Sequence, residues 1–358
     1  LYWEEKVETI KRDELENLQL KLLKDSLKRA DTTPFYKKHF EENGFKPEDI
    51  KNLDDVDKIP FTTKDDLRKA YPYGMLAVSK DDVVRMHASS GTTGIPTVIY
   101  HTQKDLDNWT DIVARCLYMA GIRKSDVFQN MMTYGLFTGG LGLHYGAEKL
   151  GTMVIPASSG NTQKQIKFIQ DFDVTVAHIT PSYALHLADL LKLELKINPC
   201  DLGLKYIIYG GEPASEATRL KLEETFGLKA FNCYGLSEMN GPGVGFECPD
   251  KTGLHIWEDN YLLEIIDPVT GKKVNDGEKG ELVLTILKRD AMPIIRYRTK
   301  DLTFIKTDGD CPCGRSHRRI AHIIGRADDM LIIRGANVFP SQIEHVLMSI
   351  PEVGTNYQ

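Results

Sequence analysis

Leu15, Leu18, Leu22 and Leu23 recur at helical spacing among charged neighbours, which predicts one amphipathic helix over about residues 4–30, packed on the outside of the main body. From about 83 to 235 short β-rich runs alternate with helical ones. The strand-like runs cover 83–87, 97–100, 126–131, 152–156, 174–179 and 206–209. The clearest helix covers about 104–120, where Leu106, Trp109, Ile112, Val113, Cys116 and Leu117 form one stripe and Thr102 with Asp105 offers a capping box. Strand, helix, strand at this spacing predicts a parallel sheet with crossover helices. Ligands of such sheets sit beyond the carboxyl ends of the strands, where the loop Gly210-Gly211-Glu212-Pro213 falls. After about 245 the pattern changes to strands and turns. Runs at 262–267, 280–285, 294–297 and 302–305, with turn signals at Asp276-Gly277 and Asp308-Gly309, predict a β-rich subdomain. A further change falls near Gly325, after which a strand and one helical run reach Gln358.

Between the first two predicted strands lies Ser89-Ser90-Gly91-Thr92-Thr93-Gly94-Ile95-Pro96. Glycines let the backbone approach an anion and take φ > 0, while hydroxyls and consecutive N–H groups donate without adding fixed charge. The stretch therefore reads as a phosphate-holding loop. The same composition also suits a flexible surface loop, so the assignment turns on what else the chain carries. A Walker A loop is excluded, because no lysine follows Gly94.

Composition narrows the classes. At 358 residues the chain is long enough for roughly two domains, and 41% hydrophobic with 27% charged residues is ordinary for a globular enzyme. The net charge of −6 argues against nucleic acid as the main partner. The opening Leu1-Tyr2-Trp3-Glu4-Glu5-Lys6 has no apolar core of signal-peptide length, and no run approaches the ~18 apolar residues of a membrane span. A cytoplasmic chain without a membrane partner is expected. Six cysteines are too few for a disulfide scaffold and should be thiols or metal ligands.

Further blocks follow the loop in order: Tyr134-Gly135-Leu136-Phe137-Thr138-Gly139-Gly140, Gly210-Gly211-Glu212-Pro213, Asn232-Cys233-Tyr234-Gly235-Leu236-Ser237-Glu238, Tyr297-Arg298-Thr299-Lys300-Asp301, and Gly325-Arg326-Ala327-Asp328-Asp329 through Arg334-Gly335-Ala336-Asn337-Val338-Phe339-Pro340. With them the chain resembles the adenylate-forming enzymes, the superfamily of acyl-CoA synthetases, peptide-synthetase adenylation domains and luciferases. The opening helix and His255-Ile256-Trp257-Glu258-Asp259 resemble its phenylacetate-CoA ligase subgroup. The resemblance covers essentially the whole chain. It implies an α/β fold with a large N-terminal adenylation domain over 1–327, made of mostly parallel sheets and helices to about 245 and a β-rich subdomain over about 246–327. The start of a small α+β C-terminal domain follows over 328–358.

The resemblance also assigns roles. Ser89, Ser90, Gly91, Thr92, Thr93 and Gly94 match the clamp on the β- and γ-phosphates of ATP, with Thr92 and Thr93 counted as catalytic. Glu238 matches the catalytic carboxylate that helps hold Mg²⁺. Tyr234 matches the ring that stacks on adenine, with Gly211, Glu212 and Pro213 along the purine's other edge and Asn232 and Gly235 flanking the ring. Asp301 matches the acceptor of both ribose hydroxyls, Arg326 a catalytic arginine near ribose and phosphate, and Asp328 the hinge of the C-terminal domain. Lys300 stands where the more general motif has glycine. Tyr134, Phe137, Gly139, Gly140 and Gly210 would wall the acid pocket, and a flat ring buried there gains roughly 1.5–3 kcal/mol from area alone.

Cys311-Pro312-Cys313, on a turn after Asp308-Gly309-Asp310, joins Cys248 and His255 as a Cys₃His set suited to a structural zinc, with His317 the spare ligand. Its C-x-C spacing is tighter than usual, and Cys248 and His255 do not form a standard knuckle. Cys116, Cys200 and Cys233 read as core or near-core thiols.

The activity implied is ATP-dependent: an aryl acid and ATP give aryl-AMP and pyrophosphate, then coenzyme A takes the acyl group and releases AMP. Loading of a carrier-protein thiol, and a non-catalytic aryl-acid or nucleotide sensor, are the alternatives. Members of the superfamily continue past this chain's last residue and carry there a lysine that contacts the attacking carboxylate and the α-phosphate. No residue up to Gln358 takes that role, so the stretch as it stands is expected to bind nucleotide and adenylate slowly or not at all. Oligomeric state is open, and the resemblance points to a homodimer with the N-terminal helix as a contact.

Overall fold

Short apolar runs separated by amphipathic helices build a central sheet whose carboxyl edge gathers the loops predicted to carry function. The computed structural model describes residues 1–89 and 95–328, the stretches 331–333 and 336–338, and residues 343, 346, 347 and 350. Ser90, Gly91, Thr92, Thr93 and Gly94 lie outside the described residues, as do Asp329, Arg334, Gly335, Phe339 and Pro340.

A hairpin comes first: β1 (Arg85–Ser89) pairs antiparallel with β2 (Thr97–His101). The strands β3 (Val127–Asn130), β4 (Met153–Ile155), β5 (Val176–Ile179), β6 (Tyr206–Tyr209) and β7 (Lys229–Tyr234) run parallel, joined by helices. β8 (Gly245–Glu247) and β9 (Leu254–Ile256) extend the sheet antiparallel, so it runs past position 245. A second sheet holds β10 (Tyr261–Ile266), β11 (Gly280–Ile286) and β12 (Tyr297–Thr303). β13 (Arg319–Ile320) returns to the edge of the first sheet, giving the order β13-β9-β8-β7-β6-β5-β3-β4, and β14 (Gly325–Arg326) closes the second as β10-β11-β12-β14. Phe128, Val176, Ile208 and Phe231, on adjacent parallel strands, are buried, as a sheet covered on both faces requires. The helix Gln103–Met119 begins at the capping box read from the sequence, with Thr102 and Asp105 bonded to each other's backbone. No helix among the described residues is long and apolar enough to cross a membrane.

Three expectations are corrected. The single helix over 4–30 is two, Glu5–Glu8 and Arg12–Asp31. Its break has a tertiary cause: the fully buried Glu8 carboxylate accepts from the Trp3 and Glu4 amides and from Arg315 Nε at 2.6 Å, while the Glu8 carbonyl accepts from Ser316 N. A carbonyl spent on Ser316 and a carboxylate turned inward do not suit continuation of the helical ladder. Leu15, Leu23 and Leu27 on the longer helix are fully buried, so this element is part of the core. The runs 294–297 and 302–305 are not two strands; one strand, Tyr297–Thr303, replaces them. Arg296 takes φ +49°, and its guanidinium is fixed by Glu264 at 2.9 Å and by the carbonyls of Asp57 and Ile59, which holds the preceding stretch outside the ladder. Cys116 and Cys233 are buried as expected, but Cys200 is exposed, its thiol near the Thr225 carbonyl.

Candidate active site

The carboxyl ends of β3, β5, β6 and β7 face one cleft, as the crossover topology dictates. A cavity there is lined by Met132 and Phe137 after β3, His178 of β5, Gly210 and Gly211 after β6, and Cys233, Gly235 and Ser237 at the end of β7. Four successive crossovers thus deliver side chains to one place. Gly211, at φ +81°, turns the chain in a conformation that only glycine takes without strain. Gly235 is required for contact: a Cβ there would come within 2.6 Å of Gly241 Cα.

Asp301 is the electrostatic centre. It is buried on β12 and accepts a hydrogen bond from Tyr234 Oη at 2.6 Å on one oxygen, while Arg326 Nη1 lies 3.3 Å from the other. Burial pushes its carboxyl up to about 6, against the pull of the Tyr234 hydroxyl and the Arg326 charge. The Tyr234 phenol is in turn pushed well above its ordinary value by burial and the Asp301 charge, so it stays protonated and donates. Its ring remains half-buried at the cleft.

The backbone explains how Asp301 reaches this position. Lys300 has φ +67°, and the β11–β12 register shifts between Glu281 and Val283, the mark of a bulge. The bulge re-aims the next side chain. This is the position where the general motif carries glycine, and left-handed backbone is the physical reason. Lys300 tolerates it with its ammonium 3.7 Å from Glu281, and its carbonyl accepts from Ala327 N at 2.8 Å, tying the bulge to the chain just before Asp328. Arg326 pairs with Asp328 at 2.9 Å as well as with Asp301, so one guanidinium joins the residues expected at ribose and hinge.

Glu238 is buried on the short turn Ser237–Met239. Tyr297, its phenol pushed well above the ordinary value by burial and then by the Glu238 charge, hydrogen-bonds it. Sequence reasoning missed the residue that fixes this turn. Arg289, fully buried, donates from Nη1 to the Glu238 carbonyl at 2.8 Å and from Nη2 to Asn240 Oδ1. Burial lowers its guanidinium to about 10. In the sequence Arg289 stands between Lys288 and Asp290 and reads as one charge of a solvated turn, so no local signal marks it. His178 was also missed: it lines the cavity, donates from Nδ1 to Asn130 Oδ1 at 2.9 Å, and is pushed down to about 3 by burial, hence neutral.

The remaining expected residues are placed as follows. Ser89, the first residue of the stretch expected to hold phosphate, ends β1, its hydroxyl bonded to that of Thr97. Ala88 N donates to the Leu136 carbonyl at 3.0 Å, which sets that strand end beside the aromatic block. Phe137, Gly139 and Gly210 come together at the cavity, and a further cavity of about 200 Å³ adjoins Phe137 between Met131, Thr133, Ser159 and Tyr183. Tyr134 lines neither; its hydroxyl is 3.1 Å from His144 Nδ1. Glu212 is engaged by Ser182 N at 2.6 Å, at the start of the helix Pro181–Asp189, and Pro213 is exposed beside it. The Asn232 amide donates to Glu247.

Away from the cleft, Cys248, His255, Cys311 and Cys313 present ligand atoms that all lie within 4.8 Å of one another. His317 is not part of the set: its Nδ1 accepts from Glu258 N at 3.1 Å and its Nε2 is 3.1 Å from the Val7 carbonyl.

The AMP-binding enzyme pattern matches residues 8–285. A phenylacetate-coenzyme A ligase of Pseudomonas putida is 50% identical over 98% of this chain and 80% of its own length. The ligase of the same name from Thermus thermophilus is 47% identical over 100% of this chain and 80% of its own. Among solved structures, 2-hydroxyisobutyryl-CoA ligase in the postadenylation state, in complex with R3-HIB-AMP, superposes with a TM-score of 0.94 at 30% identity, covering 99% of this chain and 77% of that one. The fold, the matched pattern and these identities agree, and the chain belongs to the AMP-binding enzyme family, within the group of the phenylacetate-coenzyme A ligases.

Proposed function

We propose that the protein is an AMP-forming acid–thiol ligase acting on an aryl acid of the phenylacetate type. A carboxylate oxygen of the acid attacks the α-phosphorus of ATP, and the bond from that phosphorus to the bridging oxygen breaks to release pyrophosphate. The coenzyme A thiol then gives up its proton and attacks the acyl carbon, and the acyl–oxygen bond breaks to release AMP. Activation as an acyl phosphate ester replaces a hydroxide-like leaving group with AMP.

The observation that carries this reading is the Asp301–Tyr234–Arg326 group beside Glu238, at the edge where four crossovers converge. A buried acceptor that takes two ribose hydroxyls, an aromatic face for the base and a cation toward the phosphates fit one end of ATP. In this reading Tyr234 stacks on adenine, with Gly211, Glu212, Pro213, Asn232 and Gly235 around the purine. Asp301 takes the ribose, and Arg326 faces ribose and phosphate. Ser89 opens the clamp that Ser90, Gly91, Thr92, Thr93 and Gly94 complete. Phe137, Gly139 and Gly210 wall the acid, and Asp328 is the hinge.

Glu238 suits magnesium, which takes one or two carboxylates together with substrate phosphates. Its orientation is held by Tyr297 and, through the backbone, by Arg289. Magnesium bound there would neutralise phosphate charge. The test is pyrophosphate release by the full-length protein across a panel of aryl and aliphatic acids, with and without coenzyme A. Release that requires an arylacetate and yields its CoA thioester supports the reading. Nucleotide binding without release for any acid leaves the sensor, and acyl transfer only to a carrier protein leaves the loading enzyme.

A further inference from the structure

We infer that Cys248, His255, Cys311 and Cys313 hold one zinc ion, and that this ion fastens the N-terminal segment to the central sheet. The four residues arrive from three places. Cys248 directly follows β8, His255 lies within β9, and Cys311 and Cys313 bracket a turn ahead of β13. Pairing of β8 with β9, and of β9 with β13, brings them to one edge of the sheet.

Their distances are those of a ligand set. Cys248 Sγ and Cys311 Sγ are 3.5 Å apart, and Cys313 Sγ and His255 Nε2 are 3.4 Å apart. A tetrahedral ion with Zn–S bonds of about 2.3 Å requires ligand separations of about 3.8 Å. The Cys248–Cys311 gap is far beyond a disulfide bond of about 2.05 Å, and all six cysteines are free. The imidazole of His255 is already turned toward the sulfurs. Its Nδ1 is 3.2 Å from the His317 carbonyl, so Nδ1 carries the proton and the Nε2 lone pair is left for the ion. His255, Cys248 and Cys311 are buried, and three sulfurs with one imidazole favour zinc over hard cations. Four protein ligands close the coordination sphere, which makes the ion structural and separates it from the chemistry in the cleft.

The turn that bears Cys311 and Cys313 also receives the start of the chain. Tyr2 Oη donates to the Cys313 carbonyl at 3.3 Å, Arg315 pairs with buried Glu8 at 2.6 Å and donates to the Leu1 carbonyl, and Ser316 N donates to the Glu8 carbonyl. Fixing the turn with zinc therefore fixes residues 1–8 against it.

Metal analysis of the full-length protein, purified without added metal, should find about one zinc per chain. Cys248→Ser and Cys311→Ser should lose it, and His255→Cys should keep it. Ellman's reagent should modify Cys200 first and the three clustered thiols only after a chelator removes zinc. Hydrogen exchange should then rise in residues 1–11 and 308–318 while adenosine affinity changes less than twofold. Should the serine variants fail to fold, the wild-type metal content and thiol titration decide alone. Less than about 0.1 zinc per chain in the folded wild type, or immediate reaction of all three clustered thiols, overturns the site. Zinc present with unchanged exchange at the N-terminus on its removal overturns the fastening role.

Discussion

Asp301 shows how one residue can set a pH dependence for binding. Its folded-state pKa of about 6 lies above the ordinary 3.8, with burial the main cause. For the unliganded protein the sign is that of a raised acid: its contribution to stability is greatest below 3.8 and is lost as pH rises through about 6. Ribose binding at the proposed site would run the other way, because its hydroxyls would donate to the ionised form. Affinity for adenosine, which carries no titrating phosphate, should weaken by close to tenfold per pH unit below about 6 and level off above it. Calorimetric titration between pH 5 and 8 measures this. Asp301→Asn should bind weakly at every pH with no such slope, and an identical slope in both proteins would remove Asp301 from the ribose site. The neighbouring Lys300 gives a stability prediction. At φ +67° a lysine is strained by roughly 1–2 kcal/mol, partly offset in the variant by the extra freedom of glycine in the unfolded chain. Lys300→Gly should therefore hold or raise stability, by up to about 1 kcal/mol in urea unfolding. A loss of 1 kcal/mol or more would mean that the Glu281 contact outweighs the strain.

At the scale of elements, the sequence made the parallel strands legible, because buried β-rich runs and a capping box are local signals. The strands β3, β5 and β6 and the helix Gln103–Met119 sit within a few residues of their predicted places. What stayed hidden depends on distant partners. Nothing local marks the break after Glu8, since its causes are Arg315 and Ser316 some three hundred residues away. The merging of two predicted strands into β12 likewise follows from Arg296 reaching Glu264 and Asp57. The site divided the same way. Tyr234, Glu238 and Asp301 were legible through the blocks that carry them, whereas Arg289 and His178 act from positions without a block and appear only when the sheets are assembled. The helix break is testable. Glu8→Ala leaves the buried Arg315 guanidinium without its carboxylate and should cost about 3–5 kcal/mol in urea unfolding. Glu8→Gln, which keeps the acceptor for the Trp3 and Glu4 amides, should cost less. Equal, small losses in both would show that the pair does not hold this end of the chain.

Across the whole molecule, one sheet supplies the loops after β3, β5, β6 and β7 that line the cleft, and the other carries Asp301 and Arg326 on β12 and β14. The Tyr234–Asp301 hydrogen bond crosses from one sheet to the other, so nucleotide bound between them would feel both. The proposed chemistry would use both, with the proposed acid pocket on the first sheet and the proposed ribose acceptor on the second. The reading stands or falls on whether the acid's own oxygen attacks phosphorus. Full-length protein should therefore be given arylacetate labelled with ¹⁸O in both carboxylate oxygens, together with ATP, Mg²⁺ and coenzyme A, and the products weighed by mass spectrometry. Adenylation predicts AMP carrying one ¹⁸O and unlabelled pyrophosphate. Label in inorganic phosphate with ADP as the nucleotide product, or CoA thioester formed with unlabelled AMP, would contradict it.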